Sequence, residues 1–145
     1  MRVNRFMSYD AANKSVDLSV IAAFDHTMGG FNFNGGSNGA HVITVPVGWS
    51  VSMDVKNVDA IPHSAIVIRQ QKPLPNAPDS PDIPRAYTSH VNDGLPPVNG
   101  EDQVNFRASK AGDYWIYCGV PGHGPSGMYI SFIVSADATA PSYKM

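Results

Sequence analysis

The stretch YWIYCGVPGHGPSGMYISFIV, residues 114–134, contains two apolar segments separated by a loop with four glycines and two prolines. In its second half Met128, Ile130, Phe132 and Val134 alternate with Tyr129, Ser131 and Ile133, the period of two that belongs to a strand. Glycine and proline at the density of residues 119–127 break helices and favour turns. The reading is strand, loop, strand.

The same period recurs outward from this segment. Val16, Leu18, Val20 and Ala22 alternate with Asp17, Ser19 and Ile21. After the turn at Gly48, Val51, Met53 and Val55 alternate with Ser50, Ser52, Asp54 and Lys56. Residues His41 to Val47 are rich in β-branched side chains, Ser64 to Ile68 reads as a short buried strand, and Val104 and Phe106 alternate with polar neighbours. Seven or so strands with turns between them, and hardly any helical periodicity, predict an all-β sandwich. One hundred and forty-five residues suit a single domain. Between Arg69 and Gly100 lie seven of the twelve prolines, which rules out a central strand there and predicts a surface excursion crossing between sheets. The tail from Ala136 to Met145 reads as a frayed terminus.

Composition removes several functions. Ten Lys and Arg against 12 Asp and Glu, a net charge of −2, leave no basic stripe for nucleic acid. No apolar run approaches the roughly 18 to 20 residues that span a bilayer. A single cysteine excludes an internal disulfide and leaves a thiol to be accounted for.

That thiol opens the pattern C-x4-H-x4-M: Cys118, His123 and Met128. A thiolate, an imidazole and a thioether on one strand–loop–strand can converge, and His63, at the head of a strand in Ile61-Pro62-His63-Ser64, is the best fourth donor. Two imidazoles, a thiolate and a weak axial thioether make a trigonal electron-transfer copper site. Zinc fits less well, because a structural zinc site usually takes four Cys or His donors and is rarely given methionine. Met28 and Met53 lack the spacing, and Met53 sits on an apolar strand face. His26, His41 and His90 are scattered and do not suggest a second metal centre. A Cys118 hydrolase is disfavoured because the loop offers no group to orient a base.

Asp59 to Ser64, followed by Tyr117, Cys118, His123 and Met128, resembles the cupredoxin family of type 1 blue copper proteins. The segment FNFNGGSNG, residues 31–39, is similar to the sulfocyanin branch in particular. The resemblance implies a cupredoxin-like Greek-key β-sandwich of about seven to eight strands, one domain over residues 1–145 with a proline-rich insertion at about 69–100. It implies one copper ion held by His63, Cys118, His123 and Met128, and a monomer that moves single electrons without acting on a small-molecule substrate. The expected partners are redox proteins of a respiratory chain, a membrane oxidoreductase as donor and a terminal oxidase as acceptor, at an extracytoplasmic location. Sulfocyanins usually carry an N-terminal membrane anchor and polar linker, and these residues contain neither, which leaves attachment open. A copper redox enzyme of the nitrosocyanin or nitrite-reductase kind, and a copper store or chaperone, are the rival readings.

The surroundings of the site follow from the motif. The Ser64 N–H is placed to donate to the Cys118 sulfur, and Asn57 and Asp59 to fix the His63 segment. Pro121 and Pro125 remove backbone donors from the ligand loop, and Trp115 and Tyr117 read as packing. The His123 ring edge is expected to be the most exposed part of the site, inside an apolar ring of Val120, Pro121, Pro125 and Phe33 where partners dock.

Overall fold

A computed structural model describes all residues, 1–145. Nine strands form two sheets: β1 (Met7–Asp10), β2 (Ser15–Ala22), β3 (Val42–Pro46), β4 (Ser50–Asn57), β5 (Ile66–Arg69), β6 (Gly100–Arg107), β7 (Gly112–Tyr117), β8 (Tyr129–Ser135) and β9 (Ser142–Lys144). One sheet runs β1-β2-β4-β6 and the other β5-β7-β8-β3-β9. All seven strands expected from alternation are present.

The register explains the alternation. In the four-stranded sheet β2 and β4 are parallel, with Val16 beside Val51, Leu18 beside Met53 and Val20 beside Val55. Antiparallel β6 then adds Val104 beside Met53 and Phe106 beside Val51. Successive side chains point to opposite faces, so this one parity forms the buried face of the sheet. Ile43, Val45, Tyr114, Ile116, Ile130, Phe132 and Val134 of the five-stranded sheet meet it, and the two faces share one hydrophobic core. Cys118 and Met128 belong to that core at the end of the β7–β8 pair.

The tail is not frayed. Residues 142–144 form β9, which pairs antiparallel with β3, and Tyr143 is 8% exposed. Its ring stacks near Phe6, and its hydroxyl meets Asn34 Nδ2 and His41 Nδ1, each at 3.0 Å. The other unexpected strand, β1, pairs with β2.

The proline-rich segment does cross from β5 in one sheet to β6 in the other, but it is more than a surface excursion. Ile83, Ala86, Thr88 and Leu95 are buried. Backbone bonds from Val67 to Ala86, Asp82 to Val67 and Thr88 to Ala65 satisfy groups along β5 that have no neighbouring strand on that side. On the outer face of the five-stranded sheet, Leu74 and Val91 of this segment pack on a second cluster of Ile66, Ile68, Trp115, Tyr117 and Tyr129. Trp115 and Tyr117 are packing residues, as the sequence suggests.

Candidate metal centre

The donors come from two segments that meet at one end of the core, where Ile66 at the start of β5 pairs with Tyr117 at the end of β7. β7 delivers Cys118 one residue past its last paired position, and the loop to β8 closes on itself. The Cys118 N–H donates to Met128 C=O at 3.1 Å, and the Met128 N–H to His123 C=O at 3.2 Å. This folded loop turns the His123 ring back toward Cys118. His63 arrives from the segment before β5, where Leu95 N–H donates to its carbonyl at 2.7 Å.

Three donor atoms converge. His63 Nδ1 and His123 Nδ1 are 3.1 Å apart, and the Cys118 sulfur lies 3.5 Å from His123 Nδ1 and 4.0 Å from His63 Nδ1. Donor bonds of about 2.0 Å for nitrogen and 2.3 Å for sulfur would give a planar triangle with edges of about 3.5 and 3.7 Å. The observed triangle accepts a single ion of that size. No other group of three His, Cys, Asp or Glu side chains gathers in this way. His26 and His90 are exposed, and His41 is taken up with Tyr143. Met128 is fully buried in the same core as Cys118.

The donors sit in a dense network of hydrogen bonds. The backbone N–H groups of Ser64 and Val120 face the sulfur closely enough to favour its thiolate. The Ser64 hydroxyl accepts Gly119 N–H at 3.0 Å and donates to Val91 C=O at 2.6 Å. The proline-rich segment grips the loop from outside: Tyr117 Oη donates to Pro75 C=O, Gly122 N–H to Asn76 C=O, and Asn92 Nδ2 to Gly119 C=O. On the other side Asn57 Nδ2 donates to the carbonyls of Ile61, Leu95 and Pro96. Asp59 Oδ2 sits 2.7 Å from His63 Nε2.

Burial sets the protonation of the metal-free site. It pushes the Cys118 thiol up to about 11, against the N–H bonds that favour the thiolate. It lowers His123 to about 4, with the neighbouring His63 acting in the same direction. His63 is lowered too by burial, with Asp59 opposing. At neutral pH the site therefore presents a thiol and two neutral imidazoles, and a metal must displace only one proton.

Phe33 is not part of the rim. It is fully buried in the core, and Phe31 takes the expected place, its ring 4.9 Å from that of His123. Around half-buried His123 lie half-buried Val120 and exposed Pro121 and Pro125.

Comparison with known proteins adds the following. A family model described as the sulfocyanin (SoxE) domain matches residues 3–145. The sulfocyanin of Sulfolobus acidocaldarius is 33% identical over 147 residues, covering 92% of this chain and 70% of that protein. Among solved structures, rusticyanin from Thiobacillus ferrooxidans superposes with a TM-score of 0.57 at 19% identity, covering 89% of this chain and 86% of the other. Reduced auracyanin from Roseiflexus castenholzii gives 0.56 at 19%, covering 82% and 96%. These two share the fold.

Proposed function

The chain belongs to the sulfocyanin family of cupredoxins, blue copper proteins of electron transport with type 1 copper as cofactor, and from that premise we propose that His63, Cys118, His123 and Met128 hold the ion and that the protein carries single electrons between complexes of a respiratory chain. The observation that carries the ligand assignment is the triangle of two Nδ1 atoms and one sulfur, reached from segments 55 residues apart. Thiolate and thioether suit Cu(I), and the imidazoles with thiolate also hold Cu(II). A site held by hydrogen bonds on every side changes little in geometry when the electron moves, which favours fast exchange. Four protein donors leave no open position of the kind catalytic metals keep, so the reading is a carrier and not an enzyme.

His123 is the natural exit for the electron because its ring is the least buried of the three donors. Phe31, Val120, Pro121 and Pro125 form an apolar rim around it, suited to the brief, small contacts of redox partners. The proposed donor is a membrane oxidoreductase and the proposed acceptor a terminal oxidase, met by a monomer on the outer side of the cell membrane. No helix is long and apolar enough to cross a membrane.

One equivalent of Cu(II) added to the purified protein should produce an intense sulfur-to-copper charge-transfer band and one bound copper per chain. Cys118→Ser should abolish the band. A colourless parent, or a second bound metal per chain, would refute the carrier reading. For docking, Pro121→Asp should slow electron exchange with a redox partner and leave the spectrum as in the parent; an unchanged rate would remove the rim from the proposal.

A further inference from the structure

Asp59 is the one charged side chain in contact with a donor residue of the metal centre. Its Oδ2 lies 2.7 Å from Nε2 of His63, whose side chain has no solvent exposure, while the aspartate side chain is 26% exposed. The carboxylate is held in place from several directions. Oδ1 accepts the N–H of Ala60 at 2.7 Å, the Asp59 N–H donates to Asn57 Oδ1 at 3.0 Å, and the Asp59 carbonyl accepts Val98 N–H at 2.7 Å. Gly30, at φ +98°, closes over it: a Cβ there would come within 3.3 Å of Oδ2. The tight turn at Thr27–Gly30 thus roofs the carboxylate.

An imidazole that donates its Nε2–H in a hydrogen bond to a carboxylate keeps the Nδ1 lone pair free. In His63 that is the nitrogen facing Cys118 and His123. A backbone carbonyl could fix the tautomer equally well. Only a carboxylate adds a full negative charge behind the ring, and a negative charge stabilises the more positive of two oxidation states.

We propose that Asp59 is a positioning residue, which locks His63 with Nδ1 toward the metal and whose charge biases bound copper toward Cu(II), lowering the reduction potential. The proposal rests on the copper reading above. Asp59→Asn keeps the size and an acceptor for Nε2–H and removes the charge, whereas Asp59→Ala removes the anchor as well.

The test is a redox titration of the copper-loaded parent and both variants, followed by chelator competition for Cu(II). The Asn variant should favour Cu(I) by about tenfold more than the parent at a fixed ambient potential, a rise of about 59 mV for one electron. The Ala variant should show the same rise and bind Cu(II) about 10- to 100-fold more weakly. A blue parent whose two variants keep its potential would overturn the proposal, and lower thermal stability alone would then mark Asp59 as purely structural. A parent that stays colourless with Cu(II) would instead overturn the copper reading itself.

Discussion

Gly124, next to His123, tests whether the ligand loop is as tightly clamped as its contacts imply. A Cβ at this position would overlap Cζ, Cε1 and Oη of the Tyr117 ring. The ring cannot easily give way. It is fully buried, stacks on Tyr129 with centroids 5.6 Å apart, and donates from Oη to Pro75 C=O at 2.6 Å. Ordinary carbon–carbon contact needs about 3.5 Å, so Gly124→Ala must displace the loop or the ring by about 1 Å or more. Overpacking of that kind costs about 1–3 kcal/mol. At this chain length the melting temperature of the apoprotein should fall by about 2–4 °C for each of those kcal/mol. Because the shift is adjacent to His123, the charge-transfer band should move and Cu(II) should bind more weakly. Gly122→Ala is the control: its Cβ would meet nothing nearer than Asn76 Oδ1 at 3.9 Å, so its cost comes only from φ +80°. Tyr117→Leu removes the overlapped atoms. Combined with Gly124→Ala it should be less damaging than the sum of the single changes by at least about 1 kcal/mol, while the pair with Gly122→Ala should be additive. Thermal melts and copper titrations of the five variants read this out. A Gly124→Ala protein with the parent's melting temperature and spectrum, or an additive double variant, would refute the reasoning.

Three further outcomes follow from the same structure. Copper binding should release one proton per chain at pH 7, from Cys118, so that affinity rises about tenfold per pH unit from neutral pH up to about pH 11 and more steeply in acid, where His63 and His123 must also lose protons; pH-stat titration that finds no proton released contradicts this. Tyr143→Ala should destabilise the apoprotein by about 3 kcal/mol or more, since it removes a buried ring and the partner of Asn34 and His41; a denaturant midpoint equal to the parent's would return the tail to a frayed end. Asn92→Ala frees the carbonyl of Gly119 and two of the proline-rich segment. It should cost about 1–3 kcal/mol and speed copper loss to a chelator, with unchanged loss showing that the clamp does not reach the metal.

The sequence was most legible where period and burial coincide. In β2, β4 and β6 the apolar parity is the core parity, so strand and face could both be read from residues such as Leu18, Met53 and Val104. The donor triangle was legible for a different reason: two of its three residues, Cys118 and His123, lie in one strand–loop–strand, where spacing stands in for geometry. β1 and β9 escaped because four and three residues are too short to show a period. Their strand character comes from partners supplied by β2 and β3. Phe31 and Phe33 were exchanged because residues 31–39 form no named strand and carry no alternation to say which ring turns inward. Phe33 is held inward by its backbone bonds with Gly36 and its bridge to Ala22. The buried half of the proline-rich segment was hidden for a related reason. Ile83 and Ala86 reach the interior from a chain without regular structure, and composition reports the prolines more loudly than the few apolar residues between them.

The position of β3 has a consequence for how the protein is made. Val42 to Pro46 find their neighbours only in β8 and β9, with Val42 opposite Ser131 and Lys144. A ribosome adding about 5–20 residues each second needs roughly 4 to 18 s to bring Ser131 into existence after Val42. Throughout that interval a short β-branched ribbon, with both of its edges bare, is available to any passing nascent chain. A binding factor that shields unpaired strands during synthesis would act on this protein in that interval.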